Sequence, residues 1–449
     1  MEYLSYVLLS IPFALAILLA LGLCVLVWGL YHKPALTLWL VAGLVVVQTW
    51  IIALPAVNLG IWVYPQDFVF VCIAAAALMR LLWGNQLRRT PPVLGILCAV
   101  LVLSLAVGLA KFGKAAGVEF RGDFYFWVGA MYFFSFPVTK ELLSSFARVW
   151  IAMAVAILLI VCYRWLAVAL DVDWLQPIGE FADPLGNLYK YRVVNAAQAL
   201  ILGEALILFV YAMATGGGLR LWRFLIPLLA ITVLVLQHRS VWVATFIPLL
   251  LAFTLLRNSR DKLVGNLAVM TVLAAIAVVP LLAGGGGREV TSSIAAQAER
   301  ATNLSEGTSG DRVYGWKVLL NQWLQAGPAG YATGNPYGSG FRRYSEEFRE
   351  ITYAPHNYYV QMLLRTGLIG LACLLAIYWS GIRGLRREQR SSHPDVSNPT
   401  LVALLICQLL FFIPYSPDYS QGIILGIALS LVRDRLVGAR LPTTIEAKA

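Results

Sequence analysis

The chain has 449 residues, 60% of them hydrophobic and only 13% charged, with a mean hydropathy of +0.75. A soluble domain carries about a quarter of its residues as charges, so this composition excludes one and predicts a polytopic membrane protein. The net charge of +11 does not point to nucleic acid, because most Lys and Arg fall in short loops between apolar runs, where they set orientation.

The first run, residues 4–30, lacks a basic leader and a small-residue cleavage site, and reads as a retained helix. A span needs about 20 apolar residues. That ruler predicts spans near 4–30, 35–54, 66–83, 93–110, 124–138, 149–170, 195–214, 222–237, 240–256, 264–283, 357–380, 400–414 and 420–433. All must be helices, since an open strand leaves its backbone unpaired in lipid. The expected fold is therefore an all-α integral membrane protein of about 12–13 transmembrane helices. Its parts are an N-terminal helix bundle (1–283), a large, partly helical outer loop (284–356), and C-terminal helices with a tail (357–449), forming one integral unit.

Alternate loops are basic: His32-Lys33; Arg80 with Arg88 and Arg89; Lys140 with Arg148; Arg220 with Arg223; Arg257, Arg260 and Lys262; and Arg383 through Arg390. These are expected on the cytoplasmic side with Arg433, Arg435 and Arg440. The outward set is then 55–65, 111–123, 171–192, the break at His238-Arg239, the large loop, and 415–421. The six cysteines all lie inside apolar runs, as packing residues do.

The large loop opens on a glycine run at 284–287, a hinge by composition. From Asp311, the residues Val313, Trp316, Leu320 and Trp323 recur at helical spacing, and Gly327-Pro328 stops the pattern. The aromatic face of that helix suits a membrane surface. Residues 327–344, rich in Gly, Pro and Tyr, read as irregular.

Four residues carry the chemistry. Arg239 interrupts an apolar run, and a cation at that depth either faces a cavity with an anionic partner or marks a plain turn between short helices. Arg192 sits where an outer loop re-enters lipid, as a phosphate ligand or as an interfacial snorkel. Arg312 begins the loop helix. His356, pinned by Pro355 and followed by Asn357, opens the next apolar run at the lipid–water boundary, either as a proton acceptor or as part of a helix cap. No His/Cys/carboxylate cluster has metal-ligand spacing, and there is no phosphate-binding glycine loop or nucleophile elbow. Arginines with one histidine suit a diphosphate leaving group, which guanidinium forks bind bidentately, and an acceptor hydroxyl that the imidazole deprotonates.

Three motifs, QHRSVW around Arg239, DRVYGW around Arg312, and His356-Asn357 followed nine residues later by GLIG, resemble the O-antigen ligase/polymerase (Wzy_C-type) family of bacterial envelope glycosyltransferases. The likeness covers residues 230–385. It implies a GT-C-like membrane enzyme that moves a glycan from undecaprenyl diphosphate, without metal or other cofactor, on the periplasmic face of the inner membrane. The acceptor is lipid A–core in a ligase, the reading favoured by the HN-x9-GLIG spacing. In a polymerase it is a second lipid-linked repeat unit, and a chain-length regulator would be a partner. By motif, Arg239 and Arg312 bind diphosphate and His356 is the base; Arg192 matches only loosely, because VVNAAQAL follows it. Asn357, Arg342, Arg343 and Tyr353 are further substrate contacts by position. The remaining partners are membrane lipids. A transporter or flippase of the same lipid would carry inverted repeats, and none is visible.

Overall fold

Apolar runs become helices because lipid offers the backbone no other partner, and a computed structural model of the chain is organised this way around one continuous apolar core. The structure describes residues 20–51, 55–58, 60–84, 90–170, 192–214, 225–256, 307–344, 350–389 and 397–438, with residues 261, 264, 265 and 292. The span expected at 264–283, the glycine run at 284–287 and Arg288, Arg300 and Arg349 lie outside the residues so described. The architecture is that of an all-α polytopic membrane protein. Among the described residues, five helices are long and apolar enough to cross a membrane, and four shorter apolar helices accompany them.

In chain order, α1 (Ala20–His32) and α2 (Pro34–Trp50) turn by 117° at Lys33. A short antiparallel ladder of β1 (Val57–Asn58) and β2 (Trp62–Val63) leads into α3 (Pro65–Trp83). Then come α4 (Pro92–Phe112), α5 (Lys114–Phe134), α6 (Lys140–Ala169), α7 (Ala196–Ala214), α8 (Leu225–Val235) and α9 (Arg239–Leu255). The outer loop supplies α10 (Gly307–Leu324), α11 (Gly327–Thr333) and a ladder of β3 (Arg343–Tyr344) with β4 (Glu350–Ile351). The chain closes with α12 (Tyr358–Gln389), α13 (Ser397–Phe411) and α14 (Tyr419–Gly438). The tightest pair is α5 with α14. A Cβ on Gly422 would lie 2.1 Å from the Phe126 carbonyl oxygen, and one on Gly426 2.4 Å from that of Ala130, so a small-x3-small face sets this approach.

Basic residues expected on one side gather at one end of the bundle. Arg80 donates to the Tyr31 carbonyl (2.8 Å) and Arg433 to that of Phe134 (2.6 Å). The opposite end, called the outer end below, carries the two ladders and the loop helices.

Four expectations change. Residues 111–123 are not a loop, because α4 turns into α5 at Gly113 (φ +57°). The charges that lowered their hydropathy are paired within the protein. Arg121 donates to the Trp62 carbonyl (2.7 Å) and meets Asp67 (3.3 Å), Lys114 donates to the Gly60 carbonyl (3.1 Å), and Glu119 pairs with Arg365. The stretch 327–344 is not wholly irregular, since Pro328 at the start of α11 lacks only an N–H that a first turn leaves unused. And α10 docks on protein: Leu319, with Trp316 and Trp323, packs against Phe341, Val360 and Leu364.

The largest change is in α12, expected as one straight span. Gly367 breaks it with φ +62°. Tyr358 and Tyr378 both pack on Phe412, with ring centroids at 5.2 and 5.9 Å. Twenty residues of straight helix would part them by about 30 Å. The chain therefore folds back at Gly367. The first limb, 358–366, runs antiparallel to α5: Tyr358 meets Trp127 (3.2 Å), Gln361 meets Asp123 (3.3 Å) and Arg365 meets Glu119. The second limb, 368–389, runs parallel to α14, with Gly381 against Leu429 and Gly384 against Val432. Segment 352–357 thus dips inward, reaching about 20 Å from the Lys114 end of α5 along its axis. His356 stands at the bottom of that dip and not at the entrance of a simple span.

Candidate functional site at the outer end

Each neighbour of His356 is fixed by a separate element. Trp316 of α10 donates its indole N–H to the Pro355 carbonyl (2.7 Å), and the Tyr358 N–H donates to the Phe412 carbonyl (2.9 Å). Asn357 caps the first limb, its Oδ1 accepting from the Val360 N–H at 3.0 Å. Held between these anchors, His356 adopts φ +51°, a left-handed backbone costly for a residue with a side chain.

Around the half-buried imidazole, cations and aromatic rings alternate. The ring centroid lies 5.3 Å from that of Tyr353 and 6.2 Å from that of Tyr415. The Arg343 guanidinium stands 5.2 Å from the Tyr353 ring, and Arg312 stands 5.2 Å from the Tyr415 ring. The row reads Arg343, Tyr353, His356, Tyr415, Arg312. Burial, followed by the Arg312 and Arg343 charges, pushes the His356 imidazole down to a pKa of about 4. The ring is neutral at physiological pH, with a lone pair open to a proton. Arg343 is buried and donates to the Phe341 (3.1 Å) and Tyr353 (2.8 Å) carbonyls, while its Nε has no partner.

Arg192 reaches the break between α8 and α9, and Arg239 is the first residue of α9 after it. Arg192 donates to the Gln237 carbonyl (2.9 Å), and His238 Nε2 contacts the Val194 carbonyl (2.9 Å). Gln237, like His356, is a non-glycine residue with positive φ, +57°. Arg164, near the end of α6, donates to the Val193 carbonyl (2.5 Å) and to the Thr49 carbonyl at the end of α2. The start of α2 meets Tyr132 near the end of α5 (Thr37, 2.6 Å), so the α8–α9 break lies at the same end of the bundle as the Lys114 end of α5. Arg342 goes elsewhere: exposed, it pairs with Glu350 (2.5 Å) across the β3–β4 ladder. Among the described residues, no three His, Cys, Asp or Glu side chains group to hold a metal ion.

Sequence reasoning missed Tyr415, Arg365, Glu119, Asp123 and Gln361. Tyr415 lies in an outer loop with no basic residue to mark it. The other four carried a signal: Glu119 and Asp123 are spaced i, i+4 in one apolar-flanked segment, and Gln361 and Arg365 are spaced likewise in another. Buried Arg365 joins the loop to the bundle, donating to Ser339 Oγ and the Gly340 carbonyl (both 2.6 Å) as well as to Glu119. Asp123 accepts from the Tyr337 hydroxyl (2.9 Å) and from Gln361.

Residues 224–375 match the family described as O-antigen ligase (Wzy_C). The matched interval contains Arg239, Arg312, Arg343, Tyr353 and His356, together with the Gly367 turn. No curated protein matches the chain.

Proposed function

From the match of residues 224–375 to the O-antigen ligase family, we propose that the chain transfers a glycan from undecaprenyl diphosphate to an acceptor hydroxyl on the periplasmic face of the bacterial inner membrane. The observation that carries this reading is the row of two arginines and two aromatics with a neutral imidazole at its centre. In the reaction the acceptor O–H gives its proton to His356, its oxygen bonds to the anomeric carbon, and the bond from that carbon to the diphosphate oxygen breaks. Undecaprenyl diphosphate leaves with the electron pair. Arg312 and Arg239 neutralise it, as preorganised charge does for a developing anion, and guanidinium forks match its oxygens. The geometry supports an ordering as well. Burial first, and then the Arg312 and Arg343 charges, make His356 a weak base. A bound diphosphate offsets their field and raises its basicity, so the proton acceptor is strengthened once the donor is seated.

The favoured acceptor is lipid A–core, in keeping with the family description. The test is transfer by purified protein, with EDTA present, from an undecaprenyl-diphosphate glycan to lipid A–core or to a second lipid-linked unit. One block moved to lipid A–core marks a ligase, and a ladder of lipid-linked products marks a polymerase. His356→Ala is expected to lower kcat by about 10²–10⁴-fold, the usual worth of a positioned base. A variant as active as wild type removes His356 from the reaction. The pH profile sharpens the test, since activity falls as pH drops through the pKa of the base. The acid limb of kcat/KM, which reports free enzyme, is expected near pH 4, from the His356 pKa of about 4. That of kcat is expected at higher pH, and coincident limbs would refute the donor-strengthened base.

A further inference from the structure

The same segment that presents His356 also walls a separate space. A cavity of about 710 Å³ lies between the β1–β2 hairpin, the start of α5, the loop at Gly340-Phe341, and Thr352, Ala354 and Gln361. That volume is within the roughly 300–1,000 Å³ of small-molecule sites. The cavity is bordered by residues on both sides of Tyr353 and His356 in sequence, yet neither of those two lines it.

Its chemistry differs from that of the arginine row. No arginine lines it, and its charged residues are one cation, Lys114, and one carboxylate, Glu119. Glu119 is already balanced by Arg365, and its other oxygen accepts from the Gly338 N–H at 2.9 Å. What remains is a set of neutral hydrogen-bonding residues, Asn58, Thr352 and Gln361, that line the cavity together with Trp62. Gln361 is preset: its amide N–H donates to Asp123 (3.3 Å) and its Oε1 accepts from Ser416 (2.8 Å). The hairpin is pinned to α5 by Lys114 and Arg121, which hold the carbonyls of Gly60 and Trp62, while the Trp62 residue stays 56% exposed. A flat aromatic face with amides and a hydroxyl around it accommodates a neutral, hydroxyl-rich ring. A diphosphate has stronger partners among the arginines.

We propose that this cavity binds the acceptor saccharide, with Trp62 as its stacking platform and Gln361 and Asn58 orienting its hydroxyls; the assignment rests on the glycan transfer proposed above. The donor takes the arginine row and the acceptor takes the cavity. The 352–357 segment is the partition between them, giving Thr352 and Ala354 to the cavity and Tyr353 and His356 to the row, so that the reacting hydroxyl reaches past it to His356.

The experiment measures transfer rates by full-length protein in nanodiscs against each substrate separately, with lipid A–core and a second lipid-linked unit each tried as acceptor. The proteins are wild type, Trp62→Ala, Trp62→Phe, and Ala115→Trp, which puts bulk into the cavity from its wall. Trp62→Ala is expected to raise the half-saturating acceptor concentration about tenfold, equivalent to about 1.4 kcal/mol, with the donor value unchanged. Trp62→Phe should recover most of the loss, and Ala115→Trp should abolish saturation by acceptor. An active enzyme in which Trp62→Ala and Ala115→Trp leave the acceptor dependence unmoved overturns the acceptor site and leaves glycan transfer standing. Equal shifts in donor and acceptor values also overturn it. A wild type that moves glycan to neither acceptor takes down the glycan-transfer reading and this one with it.

Discussion

The two limbs of α12 are continuous in sequence and both pass for membrane helix, yet they meet opposite surroundings. The first, 358–366, is enclosed by protein and carries Gln361, Arg365 and Thr366 in buried positions. The second, 368–389, shows a strip of exposed apolar residues, Leu368, Ile369, Leu375 and Trp379. The first limb is held by charged and amide partners and places the site; the second is held by packing with one buried polar bond, Tyr378 to Gln408 (2.9 Å), and turns its apolar strip outward. Hydropathy averages over a window and cannot separate the two. What separates them is where each polar side chain finds its partner.

That contrast can be attacked from each side. The largest effect is expected from Arg365→Met on the first limb, which leaves the half-buried Glu119 without its cation and frees Ser339 and Gly340 from the bundle. Breaking one side of a buried pair costs about 3–5 kcal/mol, so the protein should unfold at clearly lower temperature in detergent and lose transfer activity. A melting temperature within error of wild type would show that the pair does not hold the limb. Gly367→Ala comes next. Its Cβ would lie 2.2 Å from the Ala332 carbonyl oxygen, on a residue with φ +62°; backbone strain alone is worth about 1–3 kcal/mol. Gly381→Ala, where the added carbon meets Leu405 at an ordinary 3.5 Å, is the matched control on the second limb and should be near neutral by the same melting assay. The smallest effect is expected from Trp379→Leu, which alters only the lipid-facing strip. It should shift stability by no more than about 0.5 kcal/mol, as exposed substitutions do. A large loss there would mean that the exposed strip of the second limb also meets a specific partner.

Much of the scaffold was legible from residue order. Apolar runs marked α3, α4, α7, α9, α13 and α14 within a few residues, and the Val313–Trp316–Leu320 spacing marked α10. Residue order also points to His356, Tyr353, Arg343 and Arg312, and the fold brings these four into one row. The reversal at Gly367 was not legible, because nine residues between Asn357 and Gly367 look the same whether they begin a span or climb back from one. Only the complementary spacing of Glu119 and Asp123 with Gln361 and Arg365 carried that information, and reading it required knowing that the two segments lie side by side. Tyr415 illustrates the other limit: its role depends on an aromatic row assembled from three distant parts of the chain, and no local pattern encodes it.

The left-handed backbone of His356 changes how its variants are to be read. Alanine at this position would remove the imidazole but retain a Cβ on a conformation that tolerates one poorly. Any lost activity would then mix missing chemistry with a displaced loop. Glycine occupies the same φ without penalty and leaves a ring-sized vacancy flanked by Tyr353 and Tyr415. In His356→Gly the backbone is at rest and the missing part is a small molecule, so added imidazole can replace it. Restoration by imidazole in the glycine variant, with none in the alanine variant, would isolate the proton transfer from the architecture that presents it.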